Sequence, residues 1–432
     1  MSIQLHRGSR VCIVGGGPAG CFSAIHLLKL ARARDLDLEV LIYEPHDGCT
    51  PGTRGCKGCA GILSAGAVGN LAALGLHVPE AVIQSERRAY VVHVQGEVAT
   101  IEQPDPARRI FSIYRGAGPR WHVGAPLAGF DHYLRQEAQA LGAQLIPERV
   151  RRVTRGERPV VHTDHSELPA DLVVLATGVN SRSPLHADFG YDPPESEAMA
   201  QDEVLRPADW PDHTVAAFFG GLPELVFGAL VPKGPYLNVS LLWRGVATDA
   251  IERFYQANAA PLKRFFVDSP ASLCGCHPRI NVRPSQSYFG DRWVAVGDTA
   301  VSRLYKDGIN SALITSGAAM HAVMAHGIAR ADFARAYAPT CRRLAADNAY
   351  GKMIFAFSSH IMQGTLQARA FMSCVRAEAD RPPEQRIHSR LLWGILTGDE
   401  PYRDLFWLIV NPRGVLRLGQ ALVKTALGAR RS

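Results

Sequence analysis

Long hydrophobic runs are missing from this chain of 432 residues. No stretch of about 18 apolar residues occurs, so no membrane-spanning helix is expected. Cysteine is scarce, nine in all, an odd and low number that argues against a secreted disulfide scaffold. Charge of one sign is scarce too: 47 Lys and Arg against 40 Asp and Glu leave +7, and charged residues make up 20%. That excess suits an anionic cofactor or a membrane surface and does not require nucleic acid. Internal repeats, low-complexity tracts and flexible linkers are absent, which excludes disordered and collagen-like classes. A strand pattern begins almost at once after Met1-Ser-Ile-Gln-Leu-His-Arg7, leaving no room for a cleavable signal, and a cytoplasmic location is expected. What is present is 47% hydrophobic residues over a length that suits two or three domains at roughly 150 residues each.

The strongest local pattern comes first. Arg10-Val-Cys-Ile-Val14 reads as a strand, Gly15-Gly-Gly-Pro-Ala-Gly20 follows directly, and Phe22, Ile25 and Leu28 then repeat at helical spacing. A second strand, Leu38 to Tyr43, ends at Glu44. Gly15, Gly17 and Gly20 make a G-x-G-x-x-G fingerprint in its strand–turn–helix frame. Gly15 permits the tight turn, Gly17 leaves a pyrophosphate unobstructed, and Gly20 lets the helix pack close to the sheet. The helix start offers free N–H groups to phosphate, and Glu44 stands where a ribose hydroxyl needs a carboxylate.

A second strand–turn–helix decides between dinucleotides. Trp293-Val-Ala-Val-Gly297 runs into Asp298, and Gly308-Ile-Asn-Ser-Ala312 opens a long small-residue helix to about Ala325. An acid just past a strand can accept from a ribityl hydroxyl, and a helix N-terminus can face the anionic edge of a reduced isoalloxazine. FAD is therefore expected. A second nucleotide fingerprint is missing: Gly116-Ala-Gly118 lacks the third glycine and the frame. NAD(P)H, another reductant or an electron-donor protein all remain open as the source of electrons.

These segments together resemble the geranylgeranyl reductase family, within the FAD-dependent group built like p-hydroxybenzoate hydroxylase. Val11 to Gly20 resembles the FAD fingerprint, Pro18 and Ala19 included. Cys59-Ala-Gly61-Ile62-Leu-Ser64 is similar to the family's segment beside the flavin, and Phe130-Asp-His-Tyr-Leu134 to its helix start. Ala170 to Ser181, Val231-Pro232-Lys233-Gly234 with Asn238-Val239, and Gly297-Asp298 with Gly308-Ile309-Asn310 resemble later motifs in order, and Leu396-Thr-Gly-Asp399 with Tyr402 the C-terminal one. Departures are Ala229 in place of one aromatic of a pair whose other member is Phe227, Leu127 in place of an arginine, Thr177 where many relatives carry Asp, and the extra Cys49 and Cys56.

The resemblance implies an α/β fold: a Rossmann-type FAD-binding domain with an interleaved antiparallel β substrate domain and a helical C-terminal segment. The expected division is FAD-binding parts at 1–80, 125–185 and 285–385, substrate-domain strands at 81–124, an antiparallel substrate-binding domain at 186–284, and a helical segment at 386–432. Phe227, Pro232 and Lys233 are the implied substrate contacts. Three readings of the cysteine loop stay open beside its being a mere flavin cradle: a thiol proton donor, with Cys59 ahead of Cys56; a Cys56–Cys59 redox disulfide; and a metal held by Cys49, Cys56 and Cys59 with a ligand from the Cys274–His277 segment. No metal is included in the expected site.

The implied activity is reduction of carbon–carbon double bonds in a hydrophobic, isoprenoid-like substrate by hydride from flavin N5. An FAD monooxygenase or halogenase-like enzyme, and a redox-sensing flavoprotein using the Cys56/Cys59 pair, are the alternatives. The tail carries Arg413, Arg417, Lys424, Arg430 and Arg431 without an acid, beside an apolar stripe of Leu418, Leu422 and Ala426. Such a helix suits peripheral contact with an anionic membrane surface.

Overall fold

Strand Ser9–Val14 is buried along nearly its whole length, as is Leu38–Tyr43, and only a sheet covered on both faces accommodates two such strands side by side. The computed structural model, which describes residues 3–48, 50, 60–245 and 248–429, shows that sheet. Cys49, Cys56 and Cys59, together with Arg430 and Arg431, lie outside the described residues.

The sheet has six strands in the order Phe289–Gly290, Trp293–Ala295, Leu172–Leu175, Ser9–Val14, Leu38–Tyr43, Gln144–Ile146. All pair parallel except the antiparallel edge strand Phe289–Gly290. One face carries Val11, Ile13, Val40, Ile42, Val174 and Val294 under the helices Pro18–Arg32, Phe130–Ala140 and Gly308–Ala325. The other packs Cys12, Val14, Leu41, Val173 and Trp293 against Val153, Val161 and Phe189. Trp293 is thus brought beside a strand more than a hundred residues earlier, and both strand–turn motifs open at the same edge.

A second six-stranded sheet forms a platform, ordered Ala200–Leu205, Tyr236–Trp243, Leu225–Lys233, Thr214–Phe219, Ala89–Val94, Glu97–Glu102. The expected antiparallel character holds with one exception: Thr214–Phe219 pairs parallel with Ala89–Val94. The reason is connectivity, because the chain leaves the platform after Glu97–Glu102, builds the middle of the first sheet and only then returns. The hairpin Leu225–Lys233 and Tyr236–Trp243 is longer than its sequence pattern suggests. Both strands are covered on both faces, so alternation disappears and the run reads as irregular.

The platform's two faces differ. One packs Val204, Leu230, Leu237, Leu241 and Trp243 against Phe254 of the helix Ala250–Ala257. The other carries Val92, Val94, Val215, Phe227 and Val231 toward helices Ala338–Gln363, Thr365–Ala377 and Ile387–Thr397.

The C-terminal helices Tyr402–Ile409 and Pro412–Ala429 sort the tail differently from its sequence reading. Tyr402 and Leu405 are wholly buried. Leu418, Leu422 and Ala426, the expected membrane stripe, are half-buried on the inward side of Pro412–Ala429, which lies along Thr365–Ala377. The exposed apolar side chains are Trp407, Val410, Val415, Leu416, Val423 and Leu427. No helix among the described residues is long and apolar enough to cross a membrane.

Candidate functional site

Glycine is dictated by space at the first turn. Gly15 has φ +110°, and a Cβ there would stand 2.5 Å from the Ala176 carbonyl oxygen of the neighbouring strand end. A Cβ on Gly20 would fall 1.8 Å from the Gly15 carbonyl oxygen, so only glycine lets the helix start this close to the turn. A Cβ on Gly17 would approach an Arg115 guanidinium nitrogen to 3.0 Å. The turn therefore leaves an opening beside a cation, as a phosphate requires.

Glu44 holds this turn in shape. Its Oε2 accepts from the Gly16 N–H at 3.1 Å and its Oε1 from the His46 N–H at 3.1 Å. Arg135, almost fully buried, stands 3.6 Å from the same carboxylate. Its Nε donates to Gly16 O at 2.8 Å and its Nη1 to His46 O and Asp47 O at 2.6 and 2.9 Å. Arg115 forms a two-pronged pair with the buried Asp131, at 3.0 and 2.8 Å. Neither arginine was singled out from sequence. Asp131 of the Phe-Asp segment was the available clue, because a buried aspartate in the first turn of a helix needs a cation.

The second turn closes the other end. Gly297 has φ +62°, and its N–H donates to Thr315 Oγ1 at 2.9 Å. Burial raises the Asp298 carboxyl above its ordinary range, opposed by Ser302 and by Arg115. Asp307 occupies the position before the helix Gly308–Ala325 in a left-handed conformation, φ +57°. Its carboxylate accepts from Ser64 Oγ at 2.6 Å and from Asn310 Nδ2 at 2.9 Å, and burial pushes its pKa up to about 6. Asn310 Oδ1 in turn accepts from Asn70 Nδ2 at 2.8 Å.

One cavity of about 400 Å³ joins the two turns. Gly15, Gly17, Pro18, Ala19, Glu44, Gly61, Ile62, Phe227, Asp298, Gly308 and Ile309 all line it, so most of the residues expected from sequence meet there. Gly20, Gly297 and Asn310 do not line it. Thr177 Oγ1 and Asn281 Oδ1 belong to wall residues, are buried and have no partner among the described residues. Open glycine turns, a cation beside them and unpaired polar atoms are what an elongated, phosphate-bearing cofactor such as FAD would satisfy.

Beyond the second turn the cavity runs under the platform, where Met199, Val215, Phe227, Ala229, Val231 and Leu396 make an apolar wall. Lys306 joins them, its Nζ 3.9 Å from the centroid of the Phe227 ring. Burial lowers its pKa to about 7, with Arg303 adding to the effect. Sequence reasoning passed over Lys306, although a lysine at a helix N-terminus opposes the helix dipole and so invites a reason.

Two expected substrate contacts stand elsewhere. Pro232 turns its carbonyl to Ser112 Oγ at 2.9 Å and to Arg87. Lys233 is buried, its Nζ donating to Glu203 Oε1 at 3.2 Å and lying 3.9 Å over the Tyr114 ring. Neither residue lines the cavity. A charged group surrounded by protein takes a fixed counter-charge in preference to an apolar chamber. Cys59 and Cys56 lie outside the described residues. Cys59 directly precedes Ala60, which is on the cavity wall.

No protein-family model matches the chain. Protein FixC of Azotobacter vinelandii is 26% identical over 343 residues, covering 71% of this chain and 73% of that protein. Among solved structures, a geranylgeranyl bacteriochlorophyll reductase-like protein from Thermoplasma acidophilum superposes with a TM-score of 0.62 at 16% identity, covering 93% of this chain and 98% of its own. A flavoprotein/dehydrogenase from Cytophaga hutchinsonii gives 0.62 at 15% identity, over 98% and 100% of the two chains. A flavin-dependent brominase gives 0.59 at 15% identity, over 96% and 98%. The chain thus has the mixed α/β fold of Rossmann-type flavoproteins, with a geranylgeranyl reductase-like protein among its structural neighbours.

Proposed function

We propose that this chain is an FAD-dependent oxidoreductase that reduces a carbon–carbon double bond in a hydrophobic substrate. One observation carries the reading: a single cavity runs from the glycine turn and Glu44, past Asp298 and the Gly308 helix end, into an apolar chamber under the platform. The turn at Gly15 and Gly17 and the helix behind it would hold the pyrophosphate, Glu44 the ribose, Asp298 the ribityl chain, and the helix start at Gly308 the anionic edge of the ring. Bound there, FAD supplies a hydride-transferring ring.

The chain's own residues do the rest. Met199, Val215, Phe227 and Val231 exclude water and lay an apolar substrate flat against the platform. Lys306 Nζ, with a pKa of about 7, holds a proton on the chamber wall in about half of the molecules at pH 7 and in most of them below it. The Cys59 thiol, next in sequence to the wall residue Ala60, is the second proton source, and Cys56 its candidate redox partner.

Purified protein should be yellow and release FAD, not FMN, on denaturation. Glu44→Ala removes a carboxylate that both faces the cavity and ties the turn, and should weaken FAD binding by about 1.5–3 kcal/mol. Colourless protein that takes up no FAD would sink the proposal. Consumption of oxygen with incorporation into the substrate, its double bond intact, would replace reduction by monooxygenation.

The basic C-terminal helix adds a peripheral membrane role. Arg413 and Lys424 share this helix with exposed Val415, Leu416, Val423 and Leu427, and no acid interrupts them. Removing residues 412–432, a cut that spares the buried Tyr402 and Leu405, should release the protein from anionic vesicles, as should high salt. Equal binding to neutral vesicles at any salt would count against this face.

A further inference from the structure

Along the cavity side of the platform runs a chain of buried polar side chains that the reading above does not use. Glu203, Asn238, Ser240 and Gln201 are each no more than 5% exposed. They sit on two neighbouring strands, with Gln201 opposite Ser240 and Glu203 opposite Asn238. Beside them this face carries the apolar Ala229 and Val231 and the charged partner of Glu203, Lys233, so the four residues need a reason beyond packing.

The direction of the hydrogen bonds is set from one end. Paired with Lys233 Nζ at 3.2 Å and accepting from Tyr114 OH at 3.1 Å, the Glu203 carboxylate is acceptor only. Asn238 must therefore turn its Nδ2 to Glu203 Oε1, at 3.0 Å, and its Oδ1 away. Ser240 Oγ then spends its one proton on that Oδ1, at 2.6 Å. Ser240 can only accept from its other neighbour, and Gln201 Nε2 donates to it at 2.9 Å. The amide of Gln201 is left with its Oε1, buried and without a partner among the described residues, on a residue that lines the cavity. Rotating the amide would set two acceptors against each other at Ser240, so the carbonyl orientation is enforced by a carboxylate three residues away in the chain of bonds.

We propose that Gln201 is a substrate-reading residue, and that the substrate is an apolar molecule carrying one O–H or N–H donor that the Gln201 carbonyl accepts. The apolar body lies on Ala229, Val231, Val215 and Phe227, and the donor end meets Gln201. This deepens the reductase reading and rests on its assignment of the chamber to substrate. It separates alcohols, phenols and N–H heteroaromatics from hydrocarbons, ethers and esters, because only the first group satisfies the buried acceptor.

The test uses matched probes on the full-length protein loaded with FAD: farnesol against farnesyl methyl ether, and indole against 1-methylindole, with dissociation constants from titration calorimetry. The donor member of a pair should bind roughly 10- to 100-fold more tightly, since its partner leaves the acceptor unpaired. Gln201→Met should bring the two members of that pair to within about threefold, chiefly by weakening the donor member. Ser240→Ala, which frees Gln201 Nε2 to turn inward, should narrow the gap as well without emptying the core. Equal affinity within both pairs for the wild type, binding of no probe, or a preference that survives Gln201→Met overturns the proposal. Flavin absorbance of the same preparation is read separately. A colourless protein fails the cofactor reading, whereas a yellow one without donor preference fails only this one.

Discussion

Lys233→Met should cost about 3–5 kcal/mol of stability, the range seen when one partner of a buried ion pair is removed. Lys233 is 1% exposed and faces Glu203, itself 5% exposed, so Met fills the volume but strands the carboxylate. Glu203→Gln in the same chain should recover a large part of that loss, because a neutral amide can still bond to Asn238 and Tyr114. Urea unfolding of the two single variants and the double variant measures the coupling. A substrate-contact role predicts the reverse pattern: stability close to wild type and a raised KM. A coupling below about 0.5 kcal/mol would reject the structural assignment of Lys233.

Lys233 also shows where reading from sequence stops. The Pro-Lys-Gly segment was visible, and so was its place at a strand end. Which way the lysine turns depends on Glu203, on a strand two places away in the sheet that meets it only through Tyr236–Trp243. The glycine turns were legible because their constraint is local: φ +110° at Gly15 and the 1.8 Å approach at Gly20 follow from a turn between adjacent strand and helix. Asp298 and Gly308 were legible for the same reason. Arg115, Arg135 and Gln201 were not, since each acquires its role from a partner on another element. The parallel pairing of Thr214–Phe219 with Ala89–Val94 was hidden likewise, being a consequence of the order in which the chain visits its two sheets.

Lys306 carries a pH signature that needs no substrate. Its folded pKa, about 7, lies below the ordinary lysine value of 10.5. Between those two values the unfolded chain holds more protons than the folded one, so this group makes stability rise as pH rises from about 7 toward 10.5. Below 7 both states are protonated and the penalty is at its full size. Lys306→Met should therefore raise the melting temperature of FAD-free protein most at or below pH 7, by about 2–5 °C, with the gain shrinking as pH approaches 10. A gain independent of pH would mean that the charge is not the cause.

The same substitution should have its larger effect on chemistry. If Lys306 Nζ delivers the proton to the substrate carbon, Lys306→Met should leave flavin reduction by dithionite intact while reoxidation by the olefin slows by roughly 10²–10⁴-fold, the usual worth of a positioned acid. Its wild-type pH profile should fall above about 7, where the amine loses its proton. The ring of Phe227, 3.9 Å away, stabilises the charged form, so Phe227→Leu should move that fall to lower pH. A thiol donor leaves a different trace. Cys59→Ser would then cause the 10²–10⁴-fold loss, and the wild-type fall would come nearer the ordinary thiol value of about 8.5. Equal damage from Cys59→Ser and Cys56→Ser would point instead to a disulfide exchanging electrons. FAD content is measured on every variant first, because a slow reaction counts against a proton donor only when the flavin is present.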